Sequence, residues 1–253
     1  LGAICGSIVT LIGAIKYIYF LDIICMAALI TLINQDSRKI KNEEIRLEII
    51  NREERNKSLY KLGWLIKITP ILIISLISTG ILTLLQSILP LDIVQGGINR
   101  EGLAPAWSGI VSSTFLLLLV ILQWPIGSWL SNKRTRLGIK LSLYNFAFGC
   151  LLITISSIVK DGIVIILLAQ IPLAIAISSF LPTATESIIQ NSPTNNRGMA
   201  LALFSQCFAL SALLAPLIAG GIMDKLGSAA VIWLVLSILC LLILPLANTI
   251  KRT

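Results

Sequence analysis

Histidine is absent from this chain of 253 residues, and Asp, Glu, Lys and Arg together make up 13% of it, against roughly a quarter in soluble globular domains. The first absence removes the commonest general base at neutral pH and the usual nitrogen ligand of zinc. The second leaves too little charge to solvate a water-exposed surface. Cysteine is sparse and never arranged as a CxxC pair: Cys5, Cys25, Cys150, Cys207 and Cys240 all fall inside hydrophobic stretches, where free buried thiols are the expected reading. Short segments of about ten residues with alternating polarity, the mark of a membrane β-barrel, do not occur either.

What fills the chain instead is apolar residues, 56% of the total, with a mean hydropathy of +0.93. They cluster in eight runs, at 1–15, 17–33, 64–91, 108–130, 137–158, 162–189, 199–223 and 229–247. Lipid offers no partners for backbone N–H and C=O groups, so runs near 20 residues that cross a hydrocarbon core of about 30 Å must be helices. An all-α integral membrane protein of about eight spans is predicted, the first of them partial. Fifteen helical residues reach only about 22 Å, so further chain is expected before Leu1, and with no Met or basic leader the first run does not read as a signal peptide.

The net charge of +8 does not indicate a nucleic-acid partner, because the basic residues alternate by side. If the 34–63 segment is cytoplasmic, only Lys16, Arg100, Lys160 and Lys225 lie opposite, and the other sixteen of the twenty Lys and Arg residues share the segment's side. That is the positive-inside pattern, and six spans after the segment return the C-terminus to the same side. The segment itself pairs Glu48 with Arg52 and Glu53 with Lys57 at i,i+4, which predicts a short surface helix in a linker between two helical bundles.

Polar residues inside the runs are the candidate functional groups, since each must face a cavity or a neighbouring helix. The third run carries Ser75, Thr79, Thr83 and Gln86 on one stripe; the sixth carries Gln170, Ser178 and Glu186, with Pro172 and Pro182 able to open the helix; the seventh carries Gln206. Interhelical hydrogen bonding is the alternative role for the stripe. Small residues recur on the seventh run at Ala202, Ser205, Ala209, Ala212, Pro216 and Ala219, a spacing that predicts a face for close helix approach. The final run has little polarity beyond Ser237, as expected of a helix facing lipid. Two carboxylates stand out as candidates for carrying a coupling proton, Asp22 and Glu186.

Several segments carry a resemblance. "PIGSWLSNKRTRLGIKL" has a Gly followed by a compact basic turn, with cations where they both meet the inner leaflet and stabilise helix C-terminal carbonyls. It resembles the GxLaDRxGRRxxL loop of the major facilitator superfamily: Gly127, Leu130, Arg136 and Ile139 match, Ser131 replaces the Asp and Arg134 a Gly. Gly127, Lys133, Arg134 and Arg136 would then form a cytoplasmic gating loop. "GAICGSIVTL" and "SALLAPLIAG" are similar to that family's gxxxGPxxGG motif, with Gly2, Gly6 and Ser7 in one copy, Ala215, Pro216 and Gly220 in the other, and Thr10 and Leu11 in place of the first copy's glycine pair. Gly2, Gly6, Ala215, Pro216 and Gly220 are the residues this assigns to helix packing. "FLDII" resembles the FxxN opening of the sixth helix, with Asp22 for Asn, and "NSPTNNRGMALALFSQ" the turn between helices ten and eleven.

The resemblance implies a chain running from the end of helix five to helix twelve: residues 1–33 close an N-terminal bundle, 34–63 form the central cytoplasmic loop, and 64–253 form a six-helix bundle. It implies a multi-pass protein of the inner cell membrane, a secondary transporter that works by alternating access on a small-molecule substrate. The gxxxGPxxGG copies resemble the drug and proton antiporter branch, which implies efflux; an uptake carrier for a sugar or other metabolite, or a non-transporting product, are the alternatives. Partners are then the substrate, the lipid bilayer and protons, the protein acting as a monomer, with no metal or cofactor expected. An enzyme would need a His cluster or paired acids on one face of the bundle, and neither is written in the sequence.

Overall fold

A computed structural model of the chain describes residues 63–131 and 133–249, which belong to the compact unit Leu62–Thr253. The first two runs, the central loop and its surface helix lie outside the described residues, and with them Gly2, Gly6, Ser7, Thr10, Leu11 and Asp22. The described residues form α1 (Gly63–Gln95), α2 (Pro105–Ser131), α3 (Thr135–Ile158), α4 (Ile163–Asn191), a single 3-10 turn at Thr194–Asn196, α5 (Arg197–Leu226), α6 (Ala230–Leu242) and a short α7 (Leu246–Thr249). No strand occurs among them. Six segments are long and apolar enough to cross a membrane, and they coincide with the last six runs.

At 33 residues, α1 is about 50 Å long, so it exceeds the hydrocarbon core and carries its polar ends beyond it. Its hydroxyl residues, apart from the buried and unpartnered Ser78, return to their own helix. Thr69 donates to the Leu65 carbonyl, Ser75 to Ile71, Thr79 to Ser75, Thr83 to Thr79 and Ser87 to Thr83, all at 2.7–2.9 Å. This back-bonding to the carbonyl one turn earlier is how a hydroxyl is kept satisfied in an apolar medium.

Three helices form the centre. α3 packs along α4, α1 along α5, α2 along α4 and α6 along α3, with smaller contacts of α2 on α1 and of α5 on α4. Lipid is as apolar as leucine, so close packing rather than water exclusion holds such helices together. The α3–α4 seam shows this: a methyl group on Gly149 would sit 2.5 Å from Leu173 Cγ, and Gly138 meets the Thr183 side chain equally tightly. Aromatic edges continue the seam, with Phe146, Phe180, Phe204 and Phe208 linked by ring centroids 5.5–6.4 Å apart. Ser237 donates 2.8 Å to the Ala147 carbonyl and binds α6 to α3.

Some expectations are corrected. α4 runs unbroken through Pro172 and Pro182; each proline deprives one carbonyl of its donor, and the surrounding helices keep the helix whole. Gly127 lies inside α2, a turn before its end, not at it. The final run is two pieces, because Pro245 cannot continue α6 and the chain turns before α7. On α5, Ala202, Ser205, Ala209 and Ala212 are exposed in this unit, and the buried face is Ala200, Phe204, Ser211, Ala219 and Met223. That buried face meets α1 through the Ser211 hydroxyl and α4 through the Phe204 ring.

Candidate functional site: polar seams and cavities of the helical bundle

Of the α1 stripe, Thr79 is the residue that bonds to a neighbouring helix. Ser75 and Thr79 are fully buried, and Thr79 Oγ1 lies 2.8 Å from Ser211 Oγ on α5. Ser211 donates to the Leu76 carbonyl at 2.9 Å, and the Cys207 thiol points to the Leu72 carbonyl at 3.7 Å. These bonds form a polar seam at mid-depth between α1 and α5. Thr83 is half-buried and Gln86 exposed, so the stripe emerges from the seam as it nears the outer end.

On α4, Gln170 is buried and donates 2.9 Å to its own Ile166 carbonyl. Ser178 is buried with no partner for its hydroxyl. Gln206 is exposed and lines a cavity of about 520 Å³ between α1 and α5, together with Thr69, Leu76, Cys207 and Leu210. The sequence-derived pathway residues are therefore spread over three places: the seam, the interior of α4 and this cavity. A second cavity, of about 820 Å³, opens between α2 and α4 and is lined by Gln123, Gly127, Leu181, Pro182, Thr185, Glu186, Ile189 and Gln190. Glu186 is exposed there and accepts a 2.9 Å hydrogen bond from Gln190 Nε2.

The basic turn joins α2 to α3 with Lys133 and Arg134 exposed. Lys133 Nζ lies 5.9 Å from the centre of the Trp129 ring. Arg136 reaches across to the Asn248 carbonyl at the end of α7, so this cation satisfies a helix C-terminus. Ala215 and Pro216 are half-buried on α5, and Gly220 has open space where a side chain would stand.

Sequence reasoning missed the opposite end of the bundle. Asp92 belongs to α1, is 1% exposed, and its Oδ2 receives Arg100 Nη2 at 2.9 Å. The same guanidinium donates to the Asp92 carbonyl at 2.8 Å and to Ser156 Oγ on α3 at 3.0 Å. The α1–α2 loop is laid across the end of α3: Asn99 N–H and Arg100 N–H both donate to the Ser157 carbonyl, at 2.9 and 3.3 Å, and Ile98 N–H donates to Ser157 Oγ at 2.9 Å. Asp92 Oδ1 accepts from Ala229 N–H at the start of α6. The left-handed Gly96 (φ 95°) allows the reversal, and Gly97 packs so closely on Ser157 that a side chain would overlap its backbone. An Asp just past a hydrophobic run, an Arg eight residues on and a Gly pair between them was the available signal.

A family model described as Major Facilitator Superfamily matches residues 71–251. The chain belongs to the major facilitator superfamily. Among curated relatives, the multidrug resistance protein MdtG of Citrobacter koseri is 29% identical over 157 residues, covering 62% of this chain and 37% of the relative. MdtG of Escherichia coli O1:K1 / APEC is 29% identical over 159 residues, covering 63% and 38%. The crystal structure of a peptide transporter, POT, in complex with alafosfalin shares the fold, with a TM-score of 0.56 at 14% identity, over 92% of this chain and 53% of that one. The chain thus spans less than two-fifths of the length of the MdtG relatives it matches. Membership of this family of transporters makes it a multi-pass membrane protein.

Proposed function

We propose that this chain supplies the C-terminal bundle of a secondary active transporter that exports a small solute from the cell by proton antiport and alternating access, in the inner membrane. The family match over residues 71–251 carries the reading. Two further features support it. The MdtG relatives are multidrug resistance proteins, which favours efflux, and cavities lined by Gln206 and by Glu186 open on the α1–α5 and α2–α4 sides of the bundle. In this reading residues 1–33 belong to that second bundle, 34–63 link the two, and 64–253 form the bundle described above.

The pathway residues then divide by role. Gln206 and Gln86, both exposed, contact solute; Ser75, Thr79, Thr83, Gln170 and Ser178 shape the helices behind them. Gly127, Lys133, Arg134 and Arg136 form the inner gate; Ala215, Pro216 and Gly220, with Gly2 and Gly6, pack helices; and Asp22 or Glu186 carries the coupling proton. The intact protein in proteoliposomes with an imposed pH gradient should move a solute against its own gradient. Solute movement indifferent to the pH gradient would remove proton antiport, and no movement of any solute across a broad screen would remove the transport reading.

A further inference from the structure

We propose that the cleft between α1, α5 and α6 takes up one acyl chain of an anionic phospholipid, with the lipid's phosphate held by Lys225. The lipid comes from the leaflet on the side of the α5–α6 turn, which the charge pattern predicts to be the outer one. This goes beyond the transport reading and depends only on the chain's crossing a bilayer.

The cleft arises from a splayed hairpin. α5 and α6 are joined by residues 227–229 alone, with Gly227 left-handed (φ 67°) at the reversal, and helices so briefly linked ordinarily lie side by side. Here α5 packs along α1 and α6 along α3. A wedge of about 320 Å³ stays open between them, floored by Gly80 and Leu84 of α1. A methyl group on Gly80 would come no closer than 4.0 Å to Ser211 Oγ, so the floor has room to spare.

The walls suit hydrocarbon. Ser211 is the one polar side chain in the lining, and its hydroxyl is already engaged by the Leu76 carbonyl at 2.9 Å and Thr79 Oγ1 at 2.8 Å. Leu214, Ile218, Val231 and Val235 are exposed at the rim. An apolar void gives water no partners and forfeits dispersion contacts if left empty, so within a bilayer a lipid chain fills it. The length agrees. From Leu210 to Ile222 the lining follows α5 for about 18 Å, against the ~15 Å of one leaflet's hydrocarbon. It begins level with the Thr79–Ser211 seam at mid-depth and stops one turn short of the end of α5.

Charge at the mouth selects the headgroup. Lys225 stands seven residues beyond Ile218, close to two full turns, and so continues the stripe of Leu214, Ile218 and Ile222 that lines the cleft. A helical side chain leans over the turn N-terminal to its own Cα, which here is the mouth. Asp224 lies about 100° round the helix from it. Among the described residues Lys225 forms no ion pair, and Asp92, which reaches the start of α6, is neutralised by Arg100. α6 begins at the same mouth, with Val231 of its first turn in the lining, and adds the positive end of its dipole. An anionic phosphate complements both.

Binding of pyrene-labelled phosphatidylglycerol to the intact purified protein in detergent, read by energy transfer from tryptophan, tests this. We expect saturable binding that unlabelled phosphatidylglycerol displaces, and that phosphatidylcholine or a short-chain phosphatidylglycerol displaces poorly. Lys225→Gln should weaken it about fivefold, the effect of one cation on an anionic headgroup. Lys160→Gln, which removes another exposed cation of the same end, should leave it unchanged. Val235→Trp and Gly80→Leu should each block the cleft; Val235 is exposed, so its variant should keep the wild-type melting temperature and separate loss of the site from misfolding. Wild-type affinity in Lys225→Gln or in Val235→Trp would overturn the proposal. So would the absence of saturable binding, which would mean that another part of the chain or a second copy closes the cleft. Neither result bears on whether the protein moves a solute.

Discussion

At the end of the bundle that the charge pattern predicts to be outer, Asp92 and Arg100 meet at 2.9 Å with both side chains 1% exposed, whereas at the end predicted to be inner Lys133 and Arg134 stand in the open on a short turn. Both ends carry charge; at the inner one Arg136 bonds the Asn248 carbonyl and Lys133 and Arg134 stay exposed, while the outer one buries an ion pair. Its single guanidinium touches α1 and α3, and its partner carboxylate touches α6, so one buried pair joins three helix ends. Exposed cations on short turns bias which side of a membrane a loop occupies. Burial decides the difference, because a charge withdrawn from water must be matched within the protein, while one left in water contributes little to stability.

The largest effect should come from unbalancing the buried pair. Asp92→Ala leaves Arg100 uncompensated among Ser156 and backbone carbonyls, and removal of one partner of such a pair costs about 3–5 kcal/mol. The intact protein in detergent should melt markedly lower. Asp92→Ala with Arg100→Met should recover part of the loss, since no lone charge remains. If the single variant melts no lower than Lys133→Ala, the contrast between the two ends fails.

Next comes the α3–α4 seam, which lies away from both ends. Gly149→Val would force atoms into Leu173, whose Cδ2 already lies 2.7 Å from the place of a methyl group, and overpacking of this kind costs about 1–3 kcal/mol. Thermal unfolding of the variant in detergent measures it. A smaller effect is expected at the α1–α5 seam. Thr79→Val and Ser211→Ala each remove one side of a 2.8 Å hydroxyl pair; interhelical hydrogen bonds in membranes average near 0.6 kcal/mol. A double-mutant cycle should return a coupling of about that size. Coupling indistinguishable from zero would show that the Thr79 bond to the Ser75 carbonyl and the Ser211 bond to the Leu76 carbonyl act independently of the hydroxyl pair.

Much of this was legible in the sequence. Run length and apolarity placed the six described spans to within a few residues, because lipid forces every such run to close its own hydrogen bonds. The faces of the helices were harder to read. α4 and α5 are similarly long and apolar, yet α4 is buried along about half of its residues and α5 along few, and a periodicity of small residues gives no sign of which face meets a neighbour. The alanine stripe on α5 is consequently exposed while Phe204 and Ser211 are buried. Pro172 and Pro182 suggested a broken helix, and tertiary packing overrode them. The Asp92–Arg100 pair was missed because Asp92 was placed beyond the hydrophobic run, where a carboxylate has no need of a partner. Only the fold of the 96–104 loop over Ser157 reveals that it is buried.

The smallest stability effect, and the sharpest view of what the inner charges do, should come from replacing Lys133 and Arg134 with Gln. Both are exposed, so thermal unfolding should shift by less than about 1 kcal/mol. Their removal nevertheless erases two of the cations that hold the α2–α3 turn on the inner side, and the positive-inside bias counts such short loops most strongly. Arg136 remains, anchored on Asn248, and should keep most molecules correctly oriented. A cysteine in place of Ser131, probed with an impermeant thiol reagent in intact cells, should therefore stay protected in the wild-type background and become labelled in a minor fraction of the double variant. Complete protection in both would mean that the packed hairpins, rather than the cations, fix the direction in which α2 and α3 cross.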